Sequence, residues 1–249
     1  RSAPIITEGR IFVTTIEDRL LALAADDGRR LWTHQAANAG TAVLGQPAPA
    51  YSNGLVVAGF GSGELACLRA EGGGIVWTDS LGAGASGSNL VDFLSIRGRP
   101  VIDNGRVFAV GMGGLAVGID LPTGRRLWER QVACEDSPWV AGSWMFLISL
   151  SQELAAINTD DGRVSWVSPL PRWENPEKQR DSLTWFGPTL VSDRLVVAGT
   201  SQEALAVSPY TGDILGRQHL SGAAAPLEPV VADGTLLIVS DDGRLLALR

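Results

Sequence analysis

Few residues in this chain are of types and spacings that could do chemistry, and each group fails a specific requirement. The two histidines, His34 and His219, have no His, Cys or carboxylate at ligand spacing along the sequence, so neither zinc ligation nor a His-centred acid–base pair is supported. Ser86 and Ser88 lie in a Ser/Gly-rich stretch without the GxSxG elbow that a nucleophilic serine of a hydrolase needs. The glycines Gly111, Gly113 and Gly114 fall between two apolar runs with no helix pattern after them, so they form no phosphate cradle. Asp26-Asp27, Asp160-Asp161 and Asp241-Asp242 each precede a glycine but lack the alternating acids and terminal Glu of a calcium loop, and read as turns. Cys67 and Cys134, the only cysteines, are far apart in sequence and read as unpaired structural residues. The chain is therefore expected to be non-catalytic, with no cofactor and no metal.

The elements that would position any site come from a repeated phrase: an apolar strand, an acidic-Gly turn, and a strand ending in Trp. It reads AADDGRRLW, RAEGGGIVW, DLPTGRRLW and NTDDGRVSW, ending at Trp32, Trp77, Trp128 and Trp166. A fifth copy, SPYTGDILG, carries Gly216 where the Trp should be. The turn glycines Gly28, Gly73, Gly124, Gly162 and Gly212 are 45, 51, 38 and 50 residues apart. A period of that size with several short strands per copy predicts an all-β fold, a β-propeller of four-stranded antiparallel blades. The four Trp are expected to anchor neighbouring copies, each indole N–H finding a backbone carbonyl.

Apolar alternation between Asn-Gly and Asp-Gly turns divides the chain into six blades in one domain spanning 1–249, with blades at about 3–35, 47–80, 100–132, 137–169, 187–220 and 228–249. The last has residues for three strands only, which leads to the expectation that the chain is the C-terminal part of a longer propeller, incomplete at its N-terminus. Two connections exceed a tight turn, Leu81–Arg99 and Pro171–Phe186. Trp173 and Trp185 flank the second and are expected to pin it to the scaffold. Long connections on a rigid scaffold are where binding concentrates.

Charge narrows the partner classes. The net charge is −7 and no basic run exceeds two arginines, so no footprint for nucleic acid is present. No stretch approaches the 18 or so apolar residues of a membrane-spanning helix.

The phrase is similar to the repeat of pyrroloquinoline-quinone-type propellers, which include dehydrogenases and non-enzymatic scaffolds. The dehydrogenases hold the quinone against adjacent cysteines, and no adjacent pair occurs here. The connectors resemble those of the BamB family of outer-membrane assembly factors more closely: Gly45-Gln-Pro-Ala-Pro49, Ile96-Arg-Gly-Arg-Pro-Val-Ile102, Leu170-Pro-Arg-Trp-Glu-Asn-Pro-Glu-Lys178, Trp185-Phe-Gly-Pro188 and Glu228-Pro-Val-Val-Ala-Asp-Gly-Thr-Leu-Leu-Ile238. That resemblance implies an eight-bladed propeller of which this chain is the C-terminal six blades, acting as a scaffold on the periplasmic face of the outer membrane, lipid-anchored in the full-length protein, that docks on the POTRA domains of the barrel-forming subunit BamA and helps unfolded outer-membrane proteins to insert. It places the partner-binding residues at Thr41, Val43, Leu44 and Gly45 in one inter-blade connection and at Asp92, Ser95, Ile96 and Arg97 in the next. Val43, Leu44 and Ile96 would form an apolar anchor. A quinone-dependent dehydrogenase and a periplasmic sensor propeller with another partner remain as alternatives.

Overall fold

Short strands of β-branched and aliphatic residues, closed by left-handed turn residues, give a chain made of antiparallel meanders. The structure, a computed structural model, describes residues 3–37, 45–82 and 94–249. The first sheet is β1 (Ile5–Thr7), β2 (Arg10–Thr15), β3 (Arg19–Ala24) and β4 (Arg30–Gln35). The second is β5 (Ala50–Ser52), β6 (Leu55–Gly59), β7 (Glu64–Arg69) and β8 (Ile75–Ser80). The third is β9 (Val101–Asp103), β10 (Arg106–Val110), β11 (Leu115–Asp120) and β12 (Arg126–Gln131). The fourth is β13 (Trp139–Ala141), β14 (Trp144–Ile148), β15 (Glu153–Asn158) and β16 (Val164–Pro169). A two-stranded hairpin follows, β17 (Trp173–Asn175) with β18 (Arg180–Ser182). Then come β19 (Trp185–Val191), β20 (Arg194–Gly199), β21 (Glu203–Val207) and β22 (Ile214–His219) as the fifth four-stranded sheet. A three-stranded sheet of β23 (Val230–Ala232), β24 (Thr235–Val239) and β25 (Leu245–Leu248) ends the series. Every sheet keeps strict neighbour order, and no helix occurs among the described residues.

The strand limits follow the sequence pattern closely in β2, β3, β6, β7 and β11. The hairpin β17–β18 lies inside the stretch that the sequence reading treats as a plain connection; Asn175 Oδ1 accepts the Lys178 N–H at 3.1 Å and caps its turn.

Each repeated phrase is the hairpin between the third and fourth strand of a sheet. Its turn closes with the glycine N–H on the carbonyl four residues back, as in Gly124 to Asp120 at 2.9 Å. The phrase glycines sit at φ between 68° and 78°, where a Cβ is strained. One residue before each Trp position the register slips by one, as between Gly118 opposite Trp128 and Ile119 opposite Arg126. The same bulge recurs in the other four hairpins. A bulge turns the next side chain, and the residue facing each Trp position is small: Ala22, Cys67, Gly118, Ala156 and Ala206.

The chain divides into two compact units, Arg1–Ser137 with Asp160–Gly162, and Pro138–Thr159 with Arg163–Arg249. In the first, Trp32 lies against Gly73 and donates its Nε1 proton to the Ala70 carbonyl at 3.0 Å, while Trp77 lies against Gly124 and donates to Leu121 at 2.7 Å. Trp128 covers Gly162 in the same way. In the second unit Trp166 covers Gly212 and donates to Pro209 at 3.0 Å. Each Trp thus anchors neighbouring copies, as the phrase leads one to expect, and does so on the turn glycine of the next sheet. Around these anchors the first unit buries Phe12, Leu20, Phe60, Leu65, Val107 and Ile119, and the second buries Phe146, Leu154, Trp185, Leu195 and Leu205.

Candidate functional site

The two connections singled out by resemblance both belong to the first unit, and their described ends lie beside the turns that join the second and third strands of a sheet. Thr41, Val43, Leu44 and Asp92 lie outside the described residues; Gly45, Ser95, Ile96 and Arg97 lie within them.

Asp18, in the β2–β3 turn, holds both flanks of the first connection. It takes φ of 55°, in the left-handed region that Asp tolerates better than most residues. Its carbonyl accepts the Ala36 N–H at 2.9 Å, and its Oδ1 accepts Gln46 Nε2 at 3.0 Å and the Gly61 N–H at 2.8 Å. Asp18 and Gln46 are buried, at 6% and 5% exposure, and Thr14 adds a hydrogen bond to the Pro47 carbonyl. Gly45, at φ of 104°, leads into this clamp. On the other flank, Glu64 Oε2 accepts the Ala37 N–H at 2.9 Å while its Oε1 lies 3.4 Å from His34 Nε2.

The second connection is held by the β6–β7 turn. The Gly63 carbonyl accepts the Leu81 N–H at 2.9 Å on the way in, and the Phe60 carbonyl accepts the Ile96 N–H at 3.0 Å on the way out. Beyond it, Arg97 pairs with Glu135, and the Arg99 N–H donates to Ser137 Oγ at 2.9 Å.

These positions revise the expected contact set. Ile96 is fully buried, with its Cγ2 filling the space beside Gly59, and belongs to the cluster of Val57, Leu65 and Trp77. Ser95 is buried too, its carbonyl accepting the Met112 N–H at 2.9 Å. An exposed Ile96 anchor is therefore replaced by an internal one: the residue fixes the connection and presents no surface. Arg97, with 31% of its side chain exposed, does reach solvent, and its Glu135 partner is open at 45%.

The other groups with chemical potential are quiet. Among the described residues no three His, Cys, Asp or Glu come close enough to hold a metal ion. His34 does meet a carboxylate, Glu64, from a neighbouring sheet 30 positions away, a pairing invisible to local spacing. Asp242 is held below the usual carboxylate range, first by Arg244 and then by the Ser240 hydroxyl, so this Asp-Asp-Gly turn is internally satisfied. Both cysteines are free and buried. Burial pushes the Cys67 thiol up to about 12; burial, with the Asp136 charge second, raises that of Cys134. The thiolate is the reactive form, so both cysteines are expected to resist Ellman's reagent at pH 8 in the native protein and to react fully after denaturation. Rapid native labelling of either one would contradict this placement.

Comparison with known proteins bears on the whole chain. The model of the family described as outer membrane protein assembly factor BamB matches residues 1–168. The outer membrane protein assembly factor BamB of Yersinia pestis is 25% identical over 247 residues, 99% of this chain and 60% of that protein. That of Escherichia coli strain K12 is 28% identical over 207 residues, 82% of this chain and 50% of that protein. The chain thus spans about half to six-tenths of the length of these relatives. Among solved structures, BamB from Moraxella catarrhalis superimposes with a TM-score of 0.83 at 20% identity, over 98% of this chain and 70% of that one. Quinohemoprotein alcohol dehydrogenase from Comamonas testosteroni gives 0.68 at 15% identity, over 100% of this chain and 45% of that one. The fold is the all-β propeller fold of BamB, built here from four-stranded antiparallel sheets.

Proposed function

The chain belongs to the family of the outer membrane protein assembly factor BamB, and from that premise we propose that it is a non-enzymatic docking scaffold in outer-membrane protein assembly. The proposed partner is the set of POTRA domains of the barrel-forming subunit BamA, on the periplasmic face of the outer membrane, where unfolded outer-membrane proteins are held for insertion. The work of such a scaffold is positional: rigid blades present inter-blade connections, and nothing in the chain has to react. The observation that carries the reading is the convergence of both connections on one pair of turns, Asp18 and Phe60–Gly61, through short hydrogen bonds to buried groups. Tying the bases of both connections lowers the ordering entropy that binding must overcome.

The proposed contact surface comprises Thr41 to Gly45 of the first connection with Asp92 and the part-exposed Arg97 of the second; Ser95 and Ile96 support it from within. We read the six blades as consecutive blades of a single propeller domain with eight; coverage of 70% of the Moraxella catarrhalis chain is near six parts in eight. A dehydrogenase reading draws on the shared fold alone, since Cys67 and Cys134 stand in separate blades as free, buried thiols and offer no adjacent pair for a quinone.

The test is a titration of the full-length protein against the isolated POTRA domains, beside a Leu44→Asp, Arg97→Glu variant. Saturable binding that the variant weakens by about a hundredfold or more is the expected result, as for loss of a central anchor. Binding untouched by the variant would move the contact elsewhere, and no binding by the parent protein would overturn the scaffold reading.

A further inference from the structure

We propose that Asp18 is a positioning residue that sets both docking connections together, acting through the single peptide unit between Phe60 and Gly61. This inference rests on the docking reading and identifies what holds that site in shape.

The argument starts from the peptide bond. A peptide unit is planar, so its carbonyl and N–H point in opposite, fixed directions. The Phe60–Gly61 unit uses both. Its N–H donates to Asp18 Oδ1 at 2.8 Å, and its carbonyl accepts the Ile96 N–H at 3.0 Å. Asp18 in turn holds Gln46 by its carboxylate and Ala36 by its carbonyl, one on each side of the first connection. A continuous path therefore runs from Ala36 and Gln46, through Asp18 and one rigid peptide plane, to Ile96 at the base of the second connection. Tilting that plane at one end tilts it at the other.

Three features suit this role. A Cβ on Gly61 would lie 3.0 Å from Asp18 Oδ1 and 3.2 Å from Gln46 Nε2, so the glycine is what lets turn, carboxylate and amide approach. Among the described residues no Lys, Arg or His pairs with Asp18, so the buried carboxylate is satisfied by N–H donors instead. A buried charge is costly without such donors, and donors to a carboxylate make the stronger, more directional hydrogen bonds. The Ile96 end is equally firm, because its side chain is fully buried beside Gly59. Physically, the coupling is a chain of packed and hydrogen-bonded groups, not mere closeness.

The experiment uses the full-length protein with Asp18→Gly, Asp18→Asn and Gln46→Met, each read for POTRA binding and for amide hydrogen exchange. Asp18→Gly keeps the left-handed backbone but removes the acceptor. It is expected to weaken binding about tenfold, in the range of mutations along a coupling path, and to speed exchange at Ile96, which Asp18 does not touch. Asp18→Asn restores an acceptor at the same place and is expected to bind within about threefold of the parent, given the modest net value of one hydrogen bond. Gln46→Met cuts only the first arm, and should weaken binding while leaving Ile96 exchange unchanged. Parent-like exchange at Ile96 in Asp18→Gly would overturn the coupling, as would equal effects of Gly and Asn. Should Asp18→Gly fail to fold, Ile96 exchange in Asp18→Asn carries the decision: the neutral amide is a weaker acceptor than the carboxylate, so exchange there should be up to about threefold faster than in the parent while Gln46→Met stays at the parent rate, and parent-like exchange in both rejects the path. Absence of binding by the parent protein would sink the docking reading alone, since the exchange comparison needs no partner.

Discussion

Replacing Trp77 by Ala is expected to lower the unfolding free energy by about 3–5 kcal/mol, the usual cost of emptying a buried aromatic site. Trp77 is 8% exposed, and its indole N–H is committed to the Leu121 carbonyl at 2.7 Å. The substitution therefore opens a cavity and orphans an acceptor at one stroke. The opposite face of the same contact gives a matched test. A Cβ on Gly124 would sit 2.5 Å from Trp77 Cγ, on a residue at φ of 71°, so Gly124→Ala meets both a ring and a strained backbone. Gly216, at the position where the fifth phrase lacks its Trp, has open space around its Cβ direction and an ordinary φ. Gly216→Ala should stay within about 1 kcal/mol of the parent, as an exposed substitution without strain. Urea unfolding followed by far-ultraviolet circular dichroism reads all three. Equal cost for Gly124→Ala and Gly216→Ala would refute the Trp-on-glycine seat as the joint between consecutive sheets.

That joint also shows which features of the fold a linear sequence exposes. The alternation in Arg19–Ala24 or Leu115–Asp120 is local, and the strands run over those same residues. The Trp and the glycine of each phrase were visible as types, four residues apart. What was hidden is that each Trp serves the glycine of the following phrase, Trp77 with Gly124 and Trp166 with Gly212, because that pairing depends on the stacking of sheets. The bulge before each Trp was hidden for the same reason, since it exists only in the register between two strands. Asp18 stands beside Glu17 in a turn, and nothing in its local sequence singles it out. Its partners Gln46 and Gly61 stand 28 and 43 positions away, so no window of sequence reveals the clamp. Ile96 enters the contact set through the resemblance, whereas the gap that receives it is made by a glycine 37 positions earlier, which no local pattern reveals.

Ile96 provides the second large effect, and it separates support from contact. With the side chain fully buried beside Gly59, Ile96→Ala is expected to cost about 2–5 kcal/mol of stability in the absence of any partner. Gly59→Ala approaches the same space from the other side, where the new Cβ would run into Ile96 Cγ2, and should cost about 1–3 kcal/mol through overpacking. The two changes share one volume, so they should not add: the methyl introduced at residue 59 occupies part of the space that the Ile96 truncation vacates. The double variant is expected to be more stable than the sum of the singles by about 0.5–3 kcal/mol, the range for residues in contact. An exposed docking anchor makes the reverse set of demands: unchanged unfolding, additive singles, and lost affinity for the POTRA domains. Finding that set would return Ile96 to the contact surface. The buried arrangement requires the loss to appear in stability first, because what Ile96 contributes to docking is a fixed base beside the part-exposed Arg97.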